Sequence, residues 1–386
     1  VRHRRRTALT YEDKLCRFPA DVRDGDALVV FSRKTVLSVA AELRRAGIQA
    51  SVIYGALPYA ARKRQVRRFL EGESRVLVTT DAVGMGMNLP IRRIVFMDIV
   101  KFDGKERRML EPAQTKQIAG RAGRLGMYDE GFVACIEPNS VIRDNLETET
   151  EEITQARLNF SEALLDADYA LEDLIRMWSF AEVPDKYNKM DTEEPLYLLK
   201  ALRKAGIAIS GREANETLYR MITVGFDIES RELLDQWLEA CEAYLAGEEL
   251  LPFPDCGATD LLKMETACRQ LDLYYQMCHR FHLPCDDERV TMEKDRLAAA
   301  IDSAIVTDLQ NYRRRCRLCG KILPWNTAFG VCGACFENQH ARYGGMRRGG
   351  SAPRAAAESR SNNGAPRSSD TVRRRRRHRT RHRGAT

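Results

Sequence analysis

The sequence of 386 residues has no run of eighteen apolar residues, so no helix in it is expected to cross a membrane. It also has no G-x-x-x-x-G-K-S/T loop and no Asp-Glu-x-His or Asp-Glu-x-Asp box. Without them nothing in the chain cradles nucleotide phosphates or holds their magnesium, which excludes hydrolysis of a nucleoside triphosphate by this chain alone. Its helical second half has many acids but no catalytic constellation, since acids on polar helix faces are ordinarily solvated. The chain begins at Val1 rather than Met, and its first residues do not read as a signal peptide. A piece of a longer protein is therefore expected.

Lysine is missing from residues 341–386, where fourteen arginines stand against two acids and give +12. The remaining residues hold 48 bases and 53 acids, or −5, although the whole chain is +7. Basicity thus belongs to the tail and not to the body. The tail is otherwise largely Gly, Ser, Ala and Asn, with little to bury, and is expected to be disordered. Five consecutive arginines, Arg373 to Arg377, lead into His-Arg-Thr-Arg-His-Arg, a run that attracts phosphate backbones without reading sequence. Solvation alone is the plainer reading of the same run.

Cysteine, by contrast, is plentiful: eleven are present, and seven of them lie in apolar helical or strand patterns, as free buried thiols do. Cys316, Cys319, Cys332 and Cys335 instead form two C-x-x-C knuckles with twelve residues between them. That is the ligand set of tetrahedral structural zinc and predicts a zinc ribbon over residues 313–340; four thiolates leave no open position, which argues against catalytic zinc. Cys278, His282 and Cys285, with His279 beside them, have one-face helical spacing, but they continue the apolar stripe of Leu271, Tyr274 and Tyr275. A core stripe is expected there rather than a metal.

From Asp26 onward strands and helices alternate. Residues 27–31, 51–54, 75–79, 93–97 and 131–136 read as strands, and 34–46 and 58–70 as helices. The alternation predicts a parallel sheet covered on both faces over residues 25–146, with a lead-in at 1–24. Val100-Lys101-Phe102 and Lys105-Glu106-Arg107 flank Asp103-Gly104, which reads as a hairpin with a type I′ turn. After the acidic stretch 147–152 the pattern turns helical, as where Ser230 precedes the stripe of Leu233, Trp237 and Cys241, and a helical accessory domain is expected over 150–312.

Within this frame, Gln117-Ile-Ala-Gly-Arg-Ala-Gly-Arg places Arg121 and Arg124 three residues apart among small neighbours, on one face if the stretch is helical. A pair of permanent guanidinium charges suits a triphosphate. The apolar run 76–79 opens into Thr80-Asp81-Ala82-Val83-Gly84-Met85-Gly86, glycines that let a ligand approach the carboxyl end of a strand. The first stretch resembles the arginine-finger motif of superfamily-two helicases, Gln-x-x-Gly-Arg-x-Gly-Arg. The second resembles the helicase motif that touches both nucleotide and nucleic-acid backbone, and Val29-Val30-Phe31-Ser32 resembles the motif that opens the second RecA-like domain. Trp178-Ser179-Phe180 and residues 261–281 resemble the helical region of mitochondrial degradosomal, Ski-two-like RNA helicases, with bacterial cousins as the nearest match. The likeness covers about residues 7–310, sharply in the first 140 and loosely afterwards. The zinc knuckles and arginine tail depart from the mitochondrial pattern.

The resemblance implies an α/β RecA-like domain followed by an α-helical domain, a zinc ribbon and a basic tail. It also implies an ATP-dependent nucleic-acid helicase, for RNA by family likeness, working with ATP and Mg2+ in the complete enzyme. The phosphate-gripping first RecA-like domain is then expected before Val1. Arg121 and Arg124 become the fingers and Gln117 the residue that positions phosphate or water, while Gly84, Gly86, Asp81 and Gly120 face the nucleotide. Ser32, Arg33, Thr79, Thr80, Arg62 and Phe102 face the nucleic acid, with the Phe102 hairpin as a strand-separating wedge. A solvated helix face and an ordinary surface hairpin remain the plain readings of Arg62 and Phe102. A non-catalytic nucleic-acid-binding platform built on a truncated helicase domain remains the alternative for the whole. Reduced-looking cysteines and no visible targeting segment predict the cytoplasm.

Overall fold

The computed structural model describes residues 7–344 except 85–87, 105, 125, 139, 150–151, 312–314 and 328–329. The chain divides into two units, Val1–Cys332 and Gly333–Thr386. In the first, short apolar runs form a six-stranded sheet whose neighbouring strands are all parallel. Its parts in chain order are β1 (Ala8–Tyr11), β2 (Asp26–Val29), α1 (Arg33–Arg45), β3 (Ala50–Ile53), α2 (Tyr59–Leu70), β4 (Val76–Thr79) and β5 (Arg93–Phe96). An antiparallel hairpin follows, β6 (Val100–Phe102) and β7 (Arg107–Met109), then α3 (Pro112–Ala119), β8 (Glu130–Cys135) and α4 (Val141–Glu147). The strand order is β1-β8-β5-β2-β4-β3.

Burial on both faces explains why the strands read as unbroken apolar runs rather than alternating ones. Ala27, Val29, Ile94, Phe96 and Val133 pack with Ile118 of α3 and Ile142 of α4. Leu28, Val30, Val52, Val78 and Val95 point the other way, into a core with Val36, Val39 and Leu43 of α1.

That second core does not stop at the sheet domain. It runs on through α5 (Leu171–Phe180), α6 (Glu193–Lys204), α7 (Arg212–Ile222), α8 (Arg231–Leu245), α9 (Leu261–Phe281) and α10 (Asp287–Asn311), the mainly helical region expected after the acidic stretch, in which β9 (Ala156–Leu158) pairs with β10 (Tyr187–Lys189). The long α10 lies against α1, α2 and α9. At this seam Glu265, 1% exposed, accepts a 2.5 Å hydrogen bond from the Tyr54 hydroxyl and lies 3.3 Å from the Arg33 guanidinium. Burial raises both the Tyr54 and the Glu265 pKa.

The lead-in takes a more structural part than expected. Ala8–Tyr11 is an edge strand paired with β8, and Arg93 binds Glu12 at 2.8 Å, Asp26 at 2.6 Å and the Asp21 carbonyl at 2.8 Å. A four-residue edge strand, part exposed, carries too little pattern to be read from sequence. The hairpin also differs from the expected two-residue turn. Phe102 pairs with Arg107, two residues further along than a two-residue Asp103-Gly104 turn would place its partner. Asp103 closes the hairpin: its N–H donates to the Glu106 carbonyl at 3.1 Å and its carboxylate accepts from the Glu106 N–H at 2.9 Å.

In the second unit the described element is α11 (Gly333–Gly344), so residues 341–344, expected to begin the disordered tail, close a helix. The rest of the arginine tail lies outside the described residues.

Candidate nucleotide and nucleic-acid site

The finger stretch is placed by α3 and by what stops it. Pro112 starts the helix, and the Glu111 N–H donates to the Gln114 side chain at 3.3 Å. The helix ends at Ala119 with Gly120 as its cap, so Gln117 is helical while Arg121 and Arg124 lie on the turn that follows rather than on a shared helix face. Gly123 has φ 73°, its N–H donates to the Ile91 carbonyl at 2.9 Å, and its carbonyl accepts from the Thr7 hydroxyl at 2.6 Å. Beneath it, a Cβ on Gly131 would stand 2.6 Å from the Ala122 carbonyl carbon, so β8 and the turn approach at a distance only glycine allows.

From that turn the polar side chains converge on the glycine loop. The Arg121 guanidinium donates to the Gly84 carbonyl, as does the Gln117 amide at 3.3 Å, and Arg124 donates to the Asn88 carbonyl at 3.1 Å. Gly84 closes a 3-10 turn, Asp81–Gly84, and a Cβ there would come within 3.3 Å of Gln117. Among the described residues neither arginine forms an ion pair with a carboxylate. Asp81 does have a partner, the ammonium of Lys101 on β6. Gly86 lies outside the described residues.

The residues expected to face nucleic acid separate. Phe102 stands at the hairpin tip, 57% exposed. Ser32 is exposed and caps α1, accepting from the Thr35 N–H at 3.1 Å. Thr80 is nearly buried, and its hydroxyl accepts from Ala82 N–H at 3.3 Å. Three others already have partners within the chain. Thr79 is fully buried, with its hydroxyl on the Thr80 carbonyl at 3.0 Å. Arg33 turns inward to Glu265 and the Tyr54 ring. Arg62 binds the Gly55 and Leu57 carbonyls, each at 3.1 Å, and so holds the turn before its own helix. All three are held by internal partners.

Sequence reasoning passed over the ties between hairpin and finger. Arg108 of β7 binds Asp103 at 2.8 Å and Glu111 at the head of α3 at 2.7 Å, while Lys101 binds Asp81. Glu111-x-x-Gln114 was a readable helix-start signal; the cross-element ion pairs left none.

The Sγ atoms of Cys316, Cys319 and Cys332 lie within 4.8 Å of one another, with Cys319 and Cys332 3.6 Å apart. Zinc bonded to each sulfur at about 2.3 Å would set neighbouring sulfurs about 3.8 Å apart, so the thiols present fit that ion. The Cys332 N–H, 3.3 Å from the Cys316 sulfur, is the main cause that brings this thiol down to about 6. Cys335 falls in the second unit, on α11, three residues along the chain from Cys332. In the other cluster Leu271, Tyr274 and Cys278 are core residues, and α9 stops at Phe281 with His282 as its left-handed cap, φ 56° and exposed. His279, Cys285 and Asp287 come together instead.

Residues 11–126 match the family described as the helicase conserved C-terminal domain. The mitochondrial ATP-dependent RNA helicase SUV3 of Candida albicans is 43% identical over 141 residues, 35% of this chain and 20% of that protein. The mitochondrial ATP-dependent RNA helicase SUPV3L1 of Homo sapiens is 27% identical over 307 residues, 72% of this chain and 38% of that protein. Among solved structures, the C-terminal domain of the DEAD-box protein Dbp5 is similar at 18% identity over 52% of this chain and 98% of that chain, with a TM-score of 0.29, too slight a likeness to carry an argument. The chain thus spans between a fifth and two fifths of the length of these two helicases. Both are named mitochondrial, which overturns the expectation of a cytoplasmic setting, and being fungal and human they give a bacterial-type grouping no support. Residues 11–126 thus match the helicase conserved C-terminal domain, and the chain is similar there to mitochondrial ATP-dependent RNA helicases of the SUV3 type.

Proposed function

We propose that this chain supplies the second motor half of an ATP-dependent RNA helicase, and that a first RecA-like domain of the same protein supplies the phosphate-gripping loop and the magnesium-holding carboxylates. The observation that carries the reading is the convergence of Arg121 and Gln117 on the Gly84 carbonyl, with Arg124 on the Asn88 carbonyl beside it. Guanidiniums held by neutral carbonyls keep their full charge and most of their donors for a phosphate brought against them. When bound, ATP with Mg2+ supplies the anhydride to be broken. Arg121 and Arg124 then stabilise charge on its terminal phosphate, and Gln117 orients phosphate or water. Ser32, Thr80 and the exposed Phe102 face the RNA strand. The Lys101–Asp81 and Arg108–Glu111 pairs tie the hairpin to the nucleotide side, so closing and reopening of the two halves moves the wedge along the strand. Cys316, Cys319 and Cys332, joined by Cys335 through its C-x-x-C spacing, hold a structural zinc.

The test is Arg124→Ala in the complete protein. RNA-stimulated ATP hydrolysis is expected to fall about a thousandfold or more while RNA binding is retained. Turnover at the wild-type rate, or hydrolysis of ATP by residues 1–386 alone, overturns the reading.

A further inference from the structure

The carboxyl ends of β2 and β5 lie side by side where the order of the sheet reverses, because the chain leaves β2 for β3 and β4 on one flank and returns to β5 and β8 on the other. In open α/β sheets the crevice at such a reversal is where ligands settle. Here it opens into a cavity of about 580 Å³, within the range of small-ligand sites. Phe31 and Ser32 after β2, and Met97 and Asp98 after β5, form its base. Two walls are added, one by Phe102 and Arg107 of the hairpin and the other by Trp325, Asn326 and Thr327 of the cysteine-bearing segment. Arg121, Arg124 and Gly84 do not line it, so it is distinct from the finger site.

We propose that this cleft takes one unstacked nucleotide of a single-stranded RNA, its base between the hairpin and the ribbon loop, and that Asn326 holds the base edge. The proposal rests on the helicase reading above and extends it to the ribbon.

The loop is fixed in place. Trp325, 8% exposed, meets Phe18 edge to face at 6.0 Å, and its backbone N–H donates to the Glu42 carboxylate of α1 at 3.4 Å. Beside it Asn326 is exposed into the cleft with an amide that both donates and accepts, as a base edge requires. Phe102 offers an exposed ring on which any base can stack. Charge in the lining is balanced, Lys34 and Arg107 against Asp98 and Glu137, and the Asp98 carboxylate already accepts the Val100 N–H at 2.9 Å. A lining without net charge suits a neutral base inside, with the phosphodiester at the rim beside Lys34 and Arg107, and gives a free triphosphate nothing to hold it.

The test is photo-crosslinking of the full chain to a single-stranded oligoribonucleotide carrying thiouridine, with the joined peptides mapped. Crosslinks are expected at peptides holding Phe102 and Trp325–Thr327. Asn326→Ala, a surface change whose fold is checked by circular dichroism, should reduce the second crosslink. At elevated salt, where the arginine tail is screened, it should also weaken binding about threefold to tenfold. Crosslinks confined to the tail, or yield and affinity unchanged by Asn326→Ala, overturn the proposal and leave the helicase reading standing. Displacement of the loop crosslink by a free mononucleotide also overturns it. Absence of any salt-resistant RNA binding overturns both.

Discussion

A methyl group at Gly131 would meet the backbone of Ala122 and Gly123 at 2.6 to 2.7 Å, and backbone cannot rotate out of the way as a side chain can. Gly131→Ala is therefore expected to cost about 1–3 kcal/mol, read as a lower midpoint in denaturant or thermal unfolding, and to displace the turn that carries Arg121 and Arg124. A variant as stable as the parent would mean that the turn is free to move off β8. The same scale shows where residue type and residue role part company. Arg33 and Thr79 lie in motif-like stretches and are polar, yet one is drawn to a buried carboxylate and the other is sealed inside the sheet. Sequence names the side chain, while its direction depends on a partner hundreds of residues away, as Glu265 is for Arg33.

The hairpin is the element whose role changes most once its contacts are known. As a separate wedge, it could be deleted without touching hydrolysis. Its ion pairs to Asp81 and Glu111 tie it to the turn and helix that the proposed function sets on the nucleotide side, so deleting residues 101–108 is expected to lower hydrolysis along with strand separation. Phe102→Ala isolates the wedge, because the ring is exposed and those pairs stay intact. In the complete protein it should reduce strand separation by about tenfold, in keeping with the loss of one base-stacking contact, while RNA-stimulated hydrolysis holds. Full unwinding by Phe102→Ala would return the hairpin to an ordinary surface feature. The hairpin was legible from Asp103-Gly104; its register was not, since Asp103 closes it with both its N–H and its carboxylate on Glu106.

Across the first unit one core runs from the sheet through α1 into α9 and α10, so the helical region packs as a continuation of the sheet domain. The zinc proposal acts at the same scale through the Trp325 anchor on Phe18 and α1. Metal analysis of the purified chain is expected to give about one zinc, and stripping it with a chelator should lower the unfolding midpoint. Metal-free protein of unchanged stability would leave the four cysteines without that role; a second zinc would direct attention to His279, Cys285 and Asp287.

By itself the sequence determined the parallel sheet, the finger and glycine motifs, the cysteine knuckles and the charge split between body and tail. Each of these is local, resting on periodicity, spacing or composition within a few residues. Only the tertiary structure decided that Ala8–Tyr11 joins the sheet, that Thr7 and Gly131 hold the finger turn, and that the ribbon loop walls the cleft at the β2–β5 reversal. Those are contacts between segments far apart in the chain, set by how the buried faces pack, and no local pattern encodes which distant backbone a side chain will meet.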